Sequence, residues 1–516
     1  MTLTGGFRKL AHDVSPYLLL LIAITTLGPF QFGFHLAELN APQDVITCKK
    51  KSISTLARTA RLAINPSTSA AISDCIPMSD ATFATISSIF TIGGLIGALA
   101  AGPITSSRGR WLSIQITAAL YVLGAAIETL SQSPVVMAAG RLISGVGAGA
   151  STVIVPLYIS EVAPPAERGF FGAFTQISCN TGILTAQALG YFLSHGSAWR
   201  WILGICGLIA AAQGALTFFI PESPAWSATA KRDVATARRV LQRIRGPAVN
   251  IDSEVDAWGI GDDVFTGDAA AAEEQGLLAS DSNSLIPAAR DESKAGKSHL
   301  SVFGVVRDPL YRPAIIAVVG IMFAQQLCGI NSIVMYSVSL LSGLLPLSSV
   351  VLTILVSAVN LVMTAACSPL PDKLGRKTCL LISIIGQGSS SLALALSIVF
   401  GVKILSALSV LFFVAFFAVG LGPVPFILAS ELVGQEAVGA TQSWSLAANY
   451  SATFLVAQFF PIINTAMNER FGGAGWVYFL FAAFALIFTL FISWRVPETN
   501  GKKDADEVWG RTRRID

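Results

Sequence analysis

The sequence predicts an all-α membrane protein with twelve transmembrane helices arranged as two bundles of six. The 516 residues are 53% hydrophobic and only 13% charged, whereas soluble domains usually carry about 25% charged residues. Twelve apolar segments are each long enough to cross a bilayer, which takes about 20 residues. One long polar segment, residues 222–312, divides the first six segments from the last six. The net charge of +3 gives no indication of a nucleic-acid partner.

The apolar runs set the bounds of the predicted spans. They are 16–37, 82–104, 112–131, 134–159, 170–194, 201–220, 313–340, 347–370, 377–400, 404–430, 440–465 and 475–495. The chain then divides into a first bundle (1–221), a cytosolic linker (222–312), a second bundle (313–497) and a cytosolic tail (498–516). Within the linker, 227–247 has the pattern of a basic amphipathic helix. Residues 250–300 are acidic and low in aromatics, which predicts disorder.

Three landmarks occur twice, once in each bundle and in the same order. Gly109 and Gly375 follow the second and eighth spans, Glu161 and Glu431 end the fourth and tenth, and Glu222 and Glu498 follow the sixth and twelfth. This is a parallel repeat of six plus six spans. Transporters built in this way hold their substrate near the membrane midplane between the two repeats.

The seventh span contains three amide side chains, Gln325, Gln326 and Asn331. Polar groups in hydrocarbon are costly unless something bonds them. An ideal helix brings the three only loosely together, but Gly329 allows a local bend that makes them converge. Amides donate and accept without charge and so suit a neutral polyhydroxylated ligand. Hydrogen bonding between helices is the alternative, and both interpretations stay open at this point.

The first span ends in polar residues that include His35 and Glu38, about one helical turn apart. Glu38 is close to the predicted helix end, so we expect it to cap that end at the membrane interface. His35 is deeper and is a candidate for a proton-linked role. An interfacial cap is the alternative for His35 as well.

Seven cysteines show no spacing typical of a metal site, and five of them lie in or beside apolar segments as small core residues. Cys48 and Cys75 fall in the external loop after the first span. They form a disulfide if that loop faces an oxidising compartment, and otherwise they are two free thiols. The polar segments contain no nucleophile–base pair and no phosphate-binding glycine loop, so the sequence predicts neither an enzyme nor a cofactor.

The chain resembles the sugar porter family of the major facilitator superfamily over nearly its whole length. The matching motifs are Gln31–Phe34, Asn40–Gln43, Gly140–Arg141 with Gly145, Pro156–Tyr158 through Glu161 to Arg168–Gly169, Pro221–Pro224, Gln325–Asn331, Gly375–Lys377, Pro423–Pro425 and Pro497–Thr499. A finer resemblance, over Glu431–Trp444 with Asn449 and Tyr450, is to a fungal branch of that family on the vacuole. The resemblance implies the major facilitator fold, transport by alternating access, and function as a monomer in the lipid bilayer.

The resemblance also implies which residues meet the sugar. The candidates are Gln176, Gln325, Gln326, Asn331, Asn360 and Asn449 as hydrogen-bonding groups, with Phe426 and Tyr450 as aromatic neighbours. Phe426 stands where glucose facilitators usually have Trp and lacks an N–H donor, so glucose itself is less assured. A role for Phe426 in the core alone stays open.

Two departures from the family pattern matter for mechanism. His35 stands where proton-coupled members carry Asp and uniporters commonly carry Asn, which leaves proton coupling open. The implied cytosolic latch of the outward-facing state consists of Arg108, Arg110, Glu161, Arg168, Glu222, Asp372, Lys373, Arg376, Glu431 and Glu498. Ser106, Ser107 and Val438 replace charged residues of that latch. We therefore expect the balance of states to shift toward the inward-facing one.

Within 250–300, Glu273 lies four residues before Leu277 and Leu278. An acidic residue upstream of an exposed Leu–Leu pair resembles the sorting signal that vesicle adaptor proteins bind. This favours a vacuolar or lysosome-like membrane, with the plasma membrane as the alternative. The leading functional hypothesis is transport of a hexose or related sugar, either by facilitated diffusion or with protons. A sugar sensor with a transporter fold, or a porter for another polyol such as inositol, are the alternatives.

Overall fold

A computed structural model describes residues 15–49, 73–247, 249–256, 258, 302–340, 349–434, 437–502 and 505–510. All regular elements in these ranges are helical. In the first bundle and linker they are α1 Pro16–Thr25, α2 Leu27–Ala37, α3 Gln43–Ile46, α4 Asp80–Arg108, α5 Arg110–Leu130, α6 Pro134–Val162, α7 Arg168–Leu193, α8 Trp199–Leu216, α9 Pro224–Thr229, α10 Val234–Arg245 and α11 Asp252–Asp256. Short 3-10 turns at Pro165–Glu167 and Thr217–Phe219 lie beside α7 and α8.

The second half continues the same pattern. Its helices are α12 Val302–Arg307, α13 Arg312–Leu327, α14 Ile330–Leu340, α15 Ser349–Cys367, α16 Leu370–Leu374, α17 Arg376–Val399, α18 Lys403–Val419, α19 Val424–Glu431, α20 Val438–Phe471, α21 Val477–Arg495 and α22 Ala505–Val508.

Each of the twelve predicted spans corresponds to a helix or a pair of consecutive helices. Within the described residues, eleven of these are long and apolar enough to cross a membrane. The remaining one is α7, at the predicted span 170–194, and it is 26 residues long. It carries Thr175, Gln176, Asn180 and Gln187, and these polar residues lower its hydropathy. Two of these polar residues, Gln176 and Asn180, line the central cavity described below.

Three of the spans are interrupted, and each interruption has a local cause. Pro29 has no backbone N–H and its ring displaces the carbonyl four residues earlier, so the first span breaks between α1 and α2. Gly329, with φ of +101°, separates α13 from α14 at the bend that the sequence predicts. The third break, between α18 and α19, covers Gly420 to Pro423. Such breaks expose backbone groups to bonding by side chains inside the protein.

Glycines on α4 and α6 let these two helices approach until their backbones touch. A Cβ added to Gly149 would overlap the carbonyl oxygen of Gly94, and one added to Gly97 would overlap that of Val146. Gly145 faces the carbonyl of Phe90 in the same way. Small residues at such crossings are the usual means of packing helices in membranes.

The linker packs onto the first bundle where α4 and α6 end, with Trp226 Nε1 donating to Ser106 O and Arg245 Nη1 donating to Val162 O. The predicted amphipathic helix 227–247 forms as two helices, α9 and α10, because Arg232 has a positive φ and Asp233 caps α10 through the N–H of Thr236. Contrary to the predicted disorder from 250 onward, α11 is ordered, with Glu254 in an ion pair with Arg245 at 2.6 Å. Glu273, Leu277 and Leu278 lie outside the described residues.

At the opposite end of the first bundle, Cys48 and Cys75 form a disulfide across the loop between α3 and α4. The five other cysteines are buried and free. We call the end of the molecule that carries this bond the disulfide end. Of the two alternatives that the sequence left open for this pair, the structure contains the bonded one.

Candidate functional site

A central cavity of about 790 Å³, including the part open to solvent, lies between the two bundles. All eight residues that the sequence predicts to contact substrate line it. They are Gln176, Gln325, Gln326, Asn331, Asn360, Phe426, Asn449 and Tyr450. They come from α7 in the first bundle and from α13, α14, α15, α19 and α20 in the second.

A chain of hydrogen bonds joins the amides of the second bundle. Asn449 Nδ2 donates to Gln325 Oε1 at 2.5 Å, and Gln326 Nε2 donates to the same oxygen at 3.1 Å. Asn331 Nδ2 donates to Gln326 Oε1 at 2.5 Å. The turn at Gly329 brings Asn331 back beside Gln326, which an uninterrupted helix would not do.

Gln325 also stabilises the helix break between α18 and α19. Its Nε2 donates to the carbonyl oxygen of Leu421 at 2.6 Å. In a continuous helix this carbonyl would accept from residue 425, but Pro425 has no N–H to offer. The amide therefore acts both as a bond between helices and as a wall of the cavity. Bonding between helices is thus observed for Gln325, and binding of a ligand stays a prediction.

The first bundle contributes a second polar chain. Gln176 Nε2 donates to Asn180 Oδ1 at 3.2 Å, and Asn180 Nδ2 donates to Thr364 Oγ1 of the other bundle at 2.8 Å. Asn180 lines the cavity and was missed by the sequence analysis. Its position one turn after Gln176, on the same helical face, is the signal that would have found it.

Aromatic rings close parts of the cavity wall. The ring of Tyr450 packs where Gly94 has no side chain, and its hydroxyl lies 3.2 Å from Thr152 Oγ1 of the first bundle. Phe32 meets the Tyr450 ring edge-on, with centroids 6.4 Å apart. Phe426 is 36% exposed although it lies in an apolar helix. An aromatic face at a cavity wall can pack on the C–H face of a sugar.

The electrostatic character of the cavity is neutral. Its lining holds seven amide side chains, and none of the described residues that line it is Asp, Glu, Lys, Arg or His. Seven amides offer hydrogen-bond donors and acceptors in equal number and carry no net charge. Such a wall matches a neutral solute with many hydroxyl groups.

The family model for sugar and other transporters matches residues 21–508 of the chain. The chain belongs to this transporter family. It is 31% identical to the probable metabolite transport protein YBR241C of Saccharomyces cerevisiae, over 98% of this chain and 97% of that protein. It is 30% identical to the vacuolar protein sorting-associated protein 73 of the same yeast, over 95% and 96%. It is also 30% identical to the pig facilitated glucose transporter member 2, over 94% and 92%.

The fold agrees with solved sugar transporter structures. A partially occluded inward-open structure of the xylose transporter XylE from E. coli superposes with a TM-score of 0.70 at 21% identity, covering 95% of this chain and all of that one. A structure of the proton:xylose symporter XylE with a bound bromodeoxyglucose gives the same TM-score at 22% identity, covering 96% and 98%. The chain is thus a multi-pass membrane transporter with the major facilitator fold.

In this transporter, His35 lies outside the cavity lining and is fully buried in the first bundle. Glu38 is not an interfacial cap as the sequence suggested. It is buried and pairs with Arg141 at 2.6 Å. The position of Glu38 near a helix end indicated that its side chain would be exposed. Its partner Arg141 lies on α6, far away in the sequence, so a local sequence pattern does not reveal the pair.

Part of the predicted cytosolic latch forms ion pairs within each bundle. Arg110 binds Glu161 at 2.6 Å, and Arg376 binds Glu431 at 3.0 Å and Asp372 at 2.9 Å. Glu222 accepts from the backbone N–H of Arg110, and Glu498 accepts from that of Arg376. These two hydrogen bonds are equivalent, so the second bundle repeats the arrangement of the first. Arg108, Arg168 and Lys373 are exposed and form no ion pair with another described residue. No ion pair among the described latch residues crosses between the bundles.

Hydrogen bonds join the two bundles in the membrane interior and at the disulfide end. Asn40 Nδ2 donates to Val334 O at 3.0 Å and to Ser337 Oγ at 2.8 Å, and its Oδ1 accepts from the N–H of Val338. Ser88 Oγ donates to Gln458 at 2.7 Å nearby. The bundles are therefore closed against each other at the disulfide end.

Proposed function

We propose that the protein carries a hexose or a similar neutral polyol across its membrane by alternating access, with the amide-lined cavity as the substrate site. The observation that supports this most strongly is the cavity wall of seven amides without a charged residue. Gln176, Gln325, Gln326, Asn331, Asn360 and Asn449 bind hydroxyl groups, while Phe426 and Tyr450 pack on the ring. The relatives' names, a glucose transporter and a metabolite transporter, support the same substrate class.

Exchange of a labelled hexose in proteoliposomes tests the proposal. Liposomes that contain the purified protein and are preloaded with unlabelled sugar should take up labelled sugar faster than protein-free liposomes. A panel of D-glucose, D-xylose and inositol separates a hexose porter from a porter for another polyol. Folded protein that exchanges none of them would overturn the proposal.

We further propose that the resting transporter favours the inward-facing state. The bonds of Asn40 hold the disulfide end closed, while Arg108, Arg168 and Lys373 make no described ion pair that would hold the cytosolic end closed. Single cysteines are placed at Ser106 and at Ser79, at opposite ends of α4. The cysteine at Ser106, on the cytosolic side, should be labelled faster than the one at Ser79. Equal labelling, or faster labelling at Ser79, would contradict this balance. Asn40→Ala should raise labelling at Ser79, because it removes three hydrogen bonds between the bundles.

We propose a vacuolar membrane as the location. The name of one yeast relative and the spacing of Glu273, Leu277 and Leu278 support it. A tagged protein with Leu277→Ala and Leu278→Ala should move to the plasma membrane, because adaptor binding to an acidic dileucine signal requires both apolar side chains. Asp281 lies four residues before a second pair, Leu285 and Ile286, and repeats the spacing, so a further variant changes both pairs to Ala. If the first pair can be changed without relocation, it is not a sorting signal.

A further inference from the structure

A smaller pocket adjoins the central cavity, and we call it the side pocket. It shares four lining residues with the cavity, namely Ile183, Ile330, Val334 and Asn360. Its wall continues to Ser337, which accepts from Asn40 Nδ2 at 2.8 Å and so belongs to the closure of the disulfide end. The side pocket is narrow and has room for a group about as large as one water molecule, so a second sugar ring does not fit in it.

The wall of the side pocket changes in character with depth. Three of the four side chains at its mouth are apolar, namely Ile183 of α7 and Ile330 and Val334 of α14. Hydrocarbon gains from burial against such side chains, whereas a hydroxyl group finds no partner on them. Beyond the mouth, polar side chains join the wall, namely Gln187, Ser337, Thr353 and Ser357. The side pocket therefore suits a group that begins with a carbon atom and ends in a hydroxyl.

Gln187 brings an acceptor without a donor to this wall. Its side chain lies on α7 and is 1% exposed. Nε2 of Gln187 donates to the carbonyl oxygen of Val334 at 3.4 Å, which fixes the orientation of the amide because a carbonyl oxygen can only accept. Oε1 is buried and has no hydrogen-bond partner among the described residues. Leaving a buried acceptor in this state is destabilising, so the bond to Val334 does not by itself account for a glutamine here.

Two hydroxyl groups of the same wall have already used their protons. Thr353 Oγ1 donates to Ser349 O at 2.9 Å. Ser337 Oγ lies 3.1 Å from Thr353 Oγ1 and is therefore the donor of that bond. The bond from Asn40 occupies an acceptor site of Ser337 and supplies no proton to the pocket. A hydroxyl group of a ligand can supply the donor that Gln187 Oε1 lacks.

We propose that the side pocket binds the exocyclic hydroxymethyl group of a hexopyranose. The methylene group lies between Ile183 and Val334 at the mouth, and the hydroxyl group donates to Gln187 Oε1. The inference rests on the proposed sugar transport and narrows its substrate class to ring sugars that carry this group. Gln187 is thereby a residue that determines specificity, outside the set of amides that the sequence indicated.

The shape of the ligand supports this assignment. Every other hydroxyl group of a hexopyranose is attached directly to a ring carbon, and only the hydroxymethyl oxygen is one carbon further out. A ring held against the amides of the cavity can therefore enter a narrow recess through this group alone. D-Xylose lacks the group entirely, and inositol carries all its hydroxyl groups on the ring. The side pocket thus favours a hexose over the other polyols that the sequence left open.

Competition between matched sugars in the exchange assay tests the proposal on the wild-type protein. Unlabelled D-glucose, 6-deoxy-D-glucose and D-xylose each compete with labelled D-glucose. The 6-deoxy sugar should need about tenfold more for half inhibition, because it leaves Gln187 Oε1 without a donor, and D-xylose should need more again. If D-galactose is the hexose that exchanges, the matched analogues are 6-deoxy-D-galactose and L-arabinose.

The outcomes separate this inference from the transport proposal. Exchange of a hexose with equal inhibition by its 6-deoxy analogue would overturn the side-pocket assignment and leave transport intact. Exchange of D-xylose or inositol without exchange of any hexose would overturn the assignment as well. Absence of exchange of all these sugars by folded protein would overturn the transport proposal itself.

Gln187→Leu removes the acceptor and keeps a side chain of similar size. The preference for the hexose over its 6-deoxy analogue should fall from about tenfold to about onefold. Gln213→Leu is the matched control, because Gln213 is also a buried glutamine of the first bundle and lines neither the cavity nor the side pocket. Its preference should equal that of wild type. A folded Gln187→Leu variant that keeps the tenfold preference, or an equal loss in Gln213→Leu, would overturn the proposal.

A pocket-filling variant gives an independent measurement that does not need Gln187→Leu to fold. Ser357→Val adds carbon atoms to the wall of a pocket that is only about one water molecule wide. The ratio of labelled D-glucose exchange to labelled D-xylose exchange should fall at least tenfold relative to wild type, because the hydroxymethyl group no longer fits. A folded Ser357→Val variant with the wild-type ratio would contradict the assignment. Thermal unfolding in detergent confirms that each variant is folded.

Discussion

Gln325→Ala is expected to lower kcat/KM for hexose exchange about 100-fold. The amide accepts from Asn449 and Gln326 and donates to Leu421 O, so its removal leaves several buried polar groups without a partner. Each such loss costs about 1–3 kcal/mol, and a hydroxyl-binding site discriminates strongly when one of its bonds is missing. Asn449→Ala should lower kcat/KM by a smaller factor, because Gln325 still donates to Leu421 O in this variant.

Gln387→Ala is the matched control for this prediction. Gln387 is also a fully buried glutamine of the second bundle, on α17, but it does not line the cavity and its side chain makes no hydrogen bond with another described group. Exchange by this variant should stay within about threefold of wild type, since no bond to substrate is lost. If folded Gln325→Ala transports as well as Gln387→Ala, the amides only join helices and the substrate site lies elsewhere.

Gly149→Ala is expected to destabilise the transporter by about 3 kcal/mol. The added Cβ would overlap the carbonyl oxygen of Gly94, so α4 and α6 must move apart along their crossing. The effect opposes the ordinary helix preference, because Ala in place of Gly within a helix is favourable by about 1 kcal/mol. The measurement is the midpoint of thermal unfolding in detergent, followed by the change in tryptophan fluorescence.

Gly102→Ala, on the same helix α4, provides the control. A Cβ at Gly102 has no atom within 4 Å. The unfolding midpoint of this variant should equal or exceed that of wild type. Ala is favoured over Gly within a helix, and the added Cβ meets no neighbouring atom. Equal midpoints for Gly149→Ala and Gly102→Ala would mean that the two helices are not in contact at Gly94.

Much of the architecture could be predicted from the sequence because membrane helices leave a strong local signal. A bilayer requires long apolar runs, and the bounds of α4, α5, α6 and α17 lie within a few residues of the predicted spans. The paired landmarks at Glu161 and Glu431 occupy equivalent positions, each bonded to the arginine that follows a glycine turn. Helix breaks at Pro29 and Gly329 also have local causes that a sequence displays.

The ion pair of Glu38 with Arg141 could not be predicted in the same way. Glu38 follows α2 and its partner Arg141 lies on α6, and nothing local in the sequence around either residue reveals that they meet. Asn180 illustrates an intermediate case, because its spacing from Gln176 was visible but its partner Thr364 lies in the other bundle. Side chains that bond across helices are specified by tertiary packing, and helical periodicity alone does not identify their partners.

The central claim is that an uncharged amide cavity carries a neutral polyol. The most direct test is competition in the hexose exchange assay by sugars that differ in charge but little in shape. Neutral D-glucose should compete with the labelled hexose, while cationic D-glucosamine and anionic D-glucuronate at neutral pH should not, because the lining offers no opposite charge to replace their hydration. Inhibition by glucuronate or glucosamine as strong as that by glucose would contradict the claim.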